Sequence, residues 1–263
     1  MFDSGVGGLT LLKSIKTLLP KENLIYFGDT ARLPYGTKSP NVVKKFSLQI
    51  AHFLENVGIK ALVVACHTAS STALNDLKKE IKIPLLGVIE PSAQKAVIIT
   101  KNNKIGIIGT KTTIESASYQ SFIKKANSKI IVTTVAAPLL VPLVEEGWVE
   151  KDVTRTILKE YILPLQKAGI DTLILGCTHY PLLKRIFQEE LGRRVNLIDT
   201  SLETALYLKQ LLIKESLVNN GVSSPEYNFY VSDDPNKFSL SAELFLGDKI
   251  SSVNHIVLDE KSI

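Results

Sequence analysis

The chain runs to 263 residues and 28.9 kDa, and 45% of it is apolar, enough for one large domain or two small ones with a real core. No stretch approaches the ~18 consecutive apolar residues of a membrane helix, and the opening MFDSGVGGLT lacks the basic and apolar regions of a secretory signal. Lys plus Arg exceed Asp plus Glu by 31 to 26, for a net charge of +5. A soluble, cytoplasmic protein is therefore expected, with a mild positive field that helps collect a small anion.

The basic residues do not point to nucleic acid. They never run longer than a doublet, and no basic stripe is interleaved with aromatics. Two cysteines are too few for a disulfide framework or a CxxC-type zinc site.

Short β-branched runs alternate with helical stretches from end to end. The first helix is predicted over residues 9–19 and is stopped by Pro20; a strand follows over 24–27. Ser39-Pro40 reads as an N-cap with proline at the first helical position. Further strands are predicted over 61–65, 84–88, 104–108, 129–135, 172–175, 195–198, 228–231 and 253–258. They are unbroken apolar runs, as expected of strands covered on both faces. The alternation implies parallel sheets with helices on both sides.

One internal echo stands out. Gly58-Ile59-Lys60-Ala61-Leu62-Val63-Val64-Ala65-Cys66 matches Gly169-Ile170-Asp171-Thr172-Leu173-Ile174-Leu175-Gly176-Cys177, and each cysteine is followed by a Thr/His pair. Two similar α/β halves, each presenting a cysteine at the carboxyl end of a strand, explain this most simply. Open α/β sheets place ligands at that end. The expected division is residues 1–92 plus 206–263 around Cys66, and 93–205 around Cys177, with the cysteines facing each other across a cleft.

Several motifs surround these residues. Asp3-Ser4-Gly5-Val6-Gly7-Gly8 opens the first helix but is neither a dinucleotide fingerprint nor a P-loop. Its glycines suit either an anion at a helix N-terminus or a tight strand–helix turn. Gly28-Asp29-Thr30-Ala31-Arg32-Leu33-Pro34-Tyr35-Gly36 follows a strand end and is too irregular for helix or strand.

Cys66 and Cys177 admit four readings. As buried apolar fillers they would be unremarkable; a disulfide would be odd in a cytoplasmic chain without a CxxC motif; and a zinc site with His67 and His179 lacks zinc-motif spacing. The fourth is two-base proton chemistry. Inverting a carbon centre requires a base on one face and an acid on the other, and reversibility requires that the two swap roles. A thiol with an ordinary pKa of about 8.5 can play either part near neutral pH. Duplicated cysteines on similar halves meet that demand.

The segments FDSGVGGLT, YFGDTARLPYG, VVACHTAS, IGIIGTKTT, LLVPLVEEG and LGCTHYPLL, in this order, resemble the aspartate/glutamate racemase superfamily and, within it, the glutamate racemases. The resemblance covers essentially the whole chain, including FYVSDDPNKF and LFLG near the C-terminus. It implies cofactor-independent interconversion of L- and D-glutamate, no metal, and a supply of D-glutamate to bacterial peptidoglycan. The implied fold is two pseudo-symmetric doubly wound α/β domains with the active site between them, commonly as a homodimer.

Carried over by position, Cys66 and Cys177 are the paired acid and base, assisted by Asp3 on one side and by His179 and Glu145 on the other. Ser4, Tyr35, Gly36, Thr68, Thr113 and Thr178 would hold the substrate, with Asp3, His67 and His179 also lining the site. Three departures are visible. His67 replaces the usual asparagine, Ala137 replaces a frequent cysteine, and Met1-Phe2 leaves the first strand short. The rival readings are an aspartate or hydantoin racemase, a two-lobed amino-acid-binding protein, and an inactive interaction protein.

Overall fold

The computed structural model describes residues 1–250 and 252–258. In chain order the elements are β1 (Phe2–Asp3), α1 (Leu9–Leu18), β2 (Leu24–Gly28), α2 (Pro40–Asn56), β3 (Leu62–Val64), α3 (His67–Thr72), α4 (Leu74–Glu80), β4 (Leu85–Gly87) and α5 (Ile89–Ile99). There follow β5 (Lys104–Gly109), α6 (Lys111–Glu115), α7 (Ser118–Ala126), β6 (Ile131–Ala136), α8 (Leu140–Glu145), α9 (Asp152–Ala168), β7 (Thr172–Gly176) and α10 (Lys184–Leu191). The chain closes with β8 (Asn196–Ile198), α11 (Thr200–Lys214), β9 (Tyr227–Val231), α12 (Pro235–Leu246) and β10 (Asn254–His255).

The strands form two wholly parallel sheets, ordered β10-β9-β2-β1-β3-β4 and β6-β5-β7-β8. The order β2-β1-β3-β4 in the first repeats as β6-β5-β7-β8 in the second, so the echoed segments end on equivalent strands, β3 and β7. Parallel strands covered on both faces read as continuous apolar runs. Side chains of β3 accordingly alternate between two cores: Leu62 and Val64 join Phe2, Val43, Ile50, Leu54 and Leu77 under α2 and α4, while Val63 faces Leu9, Leu12 and Ile15 of α1. The α1-side core continues without a break into Ile105, Ile107, Leu173 and Leu175 of the second sheet. The expected division points at 92/93 and 205/206 fall inside α5 and α11, and α11 packs against both α5 and α1.

Four local details bear on the sequence expectations. The strand expected from residue 129 starts at Ile131, because Asn127 first closes a turn by accepting from the Lys129 and Ile130 N–H groups. The strand expected over 253–258 pairs only at Asn254–His255, against β9 at the edge of its sheet. Ser39 occupies the N-cap of α2 ahead of Pro40, but its side chain makes no capping bond. The short first strand is nonetheless central: Phe2 pairs with Phe27 on one side and Val64 on the other, and Asp3 with Gly28.

Stability should follow this burial. Leu173→Ala removes a fully buried side chain from β7 and is expected to cost about 2–5 kcal/mol in urea unfolding. Ile98→Ala, at a position 78% exposed, should stay within about 0.5 kcal/mol of wild type.

Candidate active site

Apart from Glu145, which ends α8, the predicted site residues lie in segments that follow the carboxyl end of a strand. Asp3 ends β1 and Ser4 follows it, Tyr35 and Gly36 lie in the loop after β2, Cys66 to Thr68 follow β3, Thr113 lies in α6 just after β5, and Cys177 to His179 follow β7. These ends converge on one cavity of about 320 Å³. Its wall includes Ser4, Tyr35, Gly36, Cys66, His67 and Thr68 from the first half, and Glu145, Cys177, Thr178 and His179 from the second. A larger cavity of about 450 Å³ opens near Met1, Glu22 and Lys60, toward the amino ends of β2 and β3; neither cysteine lines it.

Both cysteines are free and buried, which sets aside the disulfide reading. Among the described residues no group of three His, Cys, Asp or Glu side chains is placed to hold a metal ion. The apolar-filler reading is also too simple, since both thiols belong to the cavity wall.

The two sulfurs sit in different electrostatic surroundings. Cys66 caps α3, its Sγ 3.5 Å from the Ala69 N–H. Burial, seconded by the charge of Asp3, pushes its thiol up to about 12 despite opposing hydrogen bonds from Ala69 and Ser4. Cys177 has an imidazole beside it: His179 Nδ1 lies 3.6 Å from Sγ, and Nε2 is 2.9 Å from Glu145 Oε1. Burial alone would lower the His179 pKa, but the hydrogen bonds and charges of Cys177 and Glu145 outweigh it and raise it to about 10. His179 is thus an imidazolium at neutral pH, with both ring nitrogens as donors.

His67 is the opposite case. It is buried and stacked on Tyr119 at 6.4 Å between ring centroids, and neither ring nitrogen has a hydrogen-bond partner in the protein. Burial, reinforced by the charge of His179, lowers its pKa to about 3. It therefore faces the cavity as a neutral ring with one donor and one acceptor.

Not every predicted residue reaches the wall. Asp3 is fully buried behind it: Oδ2 accepts from the Gly5 N–H at 3.1 Å, and Oδ1 lies 3.5 Å from the Thr178 hydroxyl. Burial raises the Asp3 pKa, against the His179 charge and the N–H groups of Gly5 and Gly8. Thr113 is likewise one layer back, 2.9 Å from Thr110 Oγ1 and 3.5 Å from Thr68 Oγ1. Tyr35 lines the cavity with its hydroxyl already spent on Asp29, so its backbone and that of Gly36 are what it can present.

Sequence reasoning missed Thr110, Lys111 and the apolar wall of Leu33, Pro138, Val141 and Pro142. The pseudo-symmetry held the signal for Thr110, which follows β5 as Ser4 follows β1. The glycine-rich turn also resolves: a Cβ on Gly7 would lie 2.6–2.7 Å from the His179 ring, so this glycine lets the two halves approach.

Comparisons with known proteins identify the family. Residues 7–206 match the Asp/Glu/hydantoin racemase family. The chain belongs to that family. A glutamate racemase of Geobacter metallireducens is 48% identical over 259 residues, spanning 98% of this chain and 96% of its own. Among solved structures, a glutamate racemase isoform of Bacillus anthracis superposes with a TM-score of 0.94 at 40% identity, covering 98% of this chain and 96% of its own. A Francisella tularensis glutamate racemase in complex with D-glutamate gives 0.92 at 39% identity, with the same coverage. Within this racemase family the doubly wound pair of sheets expected from the sequence is thus the shared fold.

Two experiments test the site's electrostatics and packing. The raised His179 contributes stability that is complete below pH 6.5 and is lost as pH climbs through about 10. The depressed His67 contributes stability present above pH 6.5 and lost as pH falls toward 3. In urea unfolding across pH, His179→Gln should flatten the alkaline decline and His67→Asn the acid one. Separately, Gly7→Ala should push the His179 ring off Cys177 and cut kcat by about 100-fold, with the far-ultraviolet circular dichroism unchanged.

Proposed function

We propose that the protein interconverts L- and D-glutamate by a two-base mechanism that needs no cofactor. The observation that carries this reading is the pair of free, buried thiols at equivalent strand ends on the wall of one cavity. The identity to glutamate racemases over nearly the full chain supports glutamate as the substrate.

In the resting protein Cys66 is held as the thiol, and His179 stands charged beside Cys177. The His179 Nδ1 lies 3.6 Å from the Cys177 sulfur, within reach to donate to it. Cys177 then removes the Cα proton from one face of the substrate: the Cα–H bond breaks and an S–H bond forms. Cys66 gives its proton to the opposite face, and its S–H bond becomes the new Cα–H bond. The enzyme finishes with thiol and thiolate exchanged, ready for the other enantiomer.

The Cα–H of an amino acid is far less acidic than any side chain, so a thiolate alone is insufficient. Preorganised donors must meet the charge that develops at the α-carboxylate. Ser4, Thr68, Thr110 and Thr178 supply hydroxyls, and the unpartnered ring of His67 supplies a neutral donor where an asparagine is usual. Asp3 and Thr113 act from behind, on Thr178 and Thr110. Glu145 holds His179 in its charged form.

A supply role in peptidoglycan synthesis, a cytoplasmic location, a homodimer and a division into two lobes go with this reading. Among the described residues no helix is long and apolar enough to cross a membrane.

Circular dichroism of D-glutamate incubated with the protein tests the reaction. Wild type should abolish the optical activity, while Cys66→Ser and Cys177→Ser should each be slower by about 10²–10⁴-fold. Racemisation of D-aspartate but not D-glutamate would move the substrate to the aspartate class. A wild-type rate in either variant would rule out the two-base mechanism.

A further inference from the structure

The two cysteines belong to different sheets, so their spacing depends on what joins the halves near the cavity. The N-terminal turn of α6 does this. Gly109 of β5 pairs with Gly176 of β7, so Thr110 and Cys177 each lie one residue beyond a paired position of the same sheet. The turn that starts at Thr110 therefore moves with Cys177.

That turn grips the first half at two places. Thr110 Oγ1 lies 3.0 Å from the hydroxyl of Thr68, two residues past Cys66. The hydroxyl of Thr112 donates to the carbonyl of Gly36 at 2.9 Å and lies 3.3 Å from that of Lys38. Thr112 is buried and does not line the cavity. Gly36 is pressed against the same turn, since a Cβ there would come within 2.8 Å of Thr110 Cβ. The loop that contributes Tyr35 and Gly36 to the cavity wall is thus seated by the opposite half.

We propose that Thr112 is a positioning residue: its hydroxyl latches the Tyr35–Lys38 loop to the half that carries Cys177, and so holds the cavity in its binding-competent shape. The inference rests on the racemase reading for its kinetic consequence, though not for the latch itself. Without the hydroxyl the free protein spends more time with the loop unseated, and apparent affinity falls by the fraction that remains competent. Saturating substrate reseats the loop, so kcat is preserved.

The test compares Thr112→Val, which keeps the shape and loses the donor, with Thr112→Ser, which keeps the donor. For racemisation of D-glutamate, the valine variant should raise KM about tenfold with kcat within about twofold. The serine variant should restore the wild-type KM. A merely structural role would lower thermal stability without this split and without rescue by serine. Hydrogen exchange of the 35–38 amides in the ligand-free protein reads the latch independently of turnover. It should speed up in the valine variant and stay at the wild-type rate in the serine variant. Unchanged exchange in the valine variant, or equal behaviour of the two variants, would overturn the latch. Failure of the racemase reading would appear instead as inactivity of the wild type, with the exchange result still deciding the latch.

Discussion

The ladders that join β1 to β3 in one sheet and β5 to β7 in the other hold the whole site in register. Phe2 pairs with Val64, and Gly109 with Gly176. These pairings bring Ser4 alongside Cys66 and Thr110 alongside Cys177, because a parallel ladder ends its strands on one side. Hydroxyls and sulfurs far apart in sequence then become neighbours on that side. β1 is only two residues long, yet it is hydrogen-bonded on both edges and Asp3 is completely buried. Its position is set by its neighbours more than by its own length.

On this symmetric frame the electrostatics are asymmetric. Cys66 has the charge of Asp3 and deep burial, which favour the thiol; Cys177 has His179 and Glu145. Burying an imidazolium is costly unless it is paired. Here Glu145, with its side chain one-third exposed, supplies the countercharge from the rim of the cavity, where its own desolvation is incomplete. His67 shows the alternative outcome for the same residue type: without a carboxylate partner, burial keeps it neutral. Two chemically identical groups thus stand in different surroundings.

Much of this was legible in the sequence, for physical reasons that can be named. The strands were visible because both faces are covered, which leaves few polar interruptions. The repeat ending in Cys66 and Cys177 was visible because equivalent strands with equivalent tasks kept equivalent residues. The layering of the site was less accessible. Asp3 and Thr113 belong to motifs that carry chemistry, yet they stand behind Thr178 and Thr110, and only side-chain packing distinguishes a wall from its support. The same holds for Tyr35, whose hydroxyl points at Asp29. Thr110 was overlooked within a motif that had been singled out, since four consecutive polar residues from Thr110 to Thr113 give no spacing signal as to which one faces inward.

The character of the seam between the halves follows from what a closed cavity must do. Near the site the halves meet through hydroxyls: Thr68 with Thr110, Ser118 with the carbonyl of Ser71, and Thr10 with the carbonyl of Thr178. Each such bond contributes only about 0.5–1.5 kcal/mol net, because water replaces it readily when the halves part. Buried ion pairs across the same seam would lose far more on opening, since each would leave an uncompensated charge. A cavity that buries both thiols and still admits a charged amino acid needs contacts that exclude water when closed and are inexpensive to break. Neutral hydroxyls meet both demands, whereas the one strong charge pair on the cavity wall, His179 with Glu145, lies wholly within one half. Its geometry therefore does not depend on the contacts of the seam.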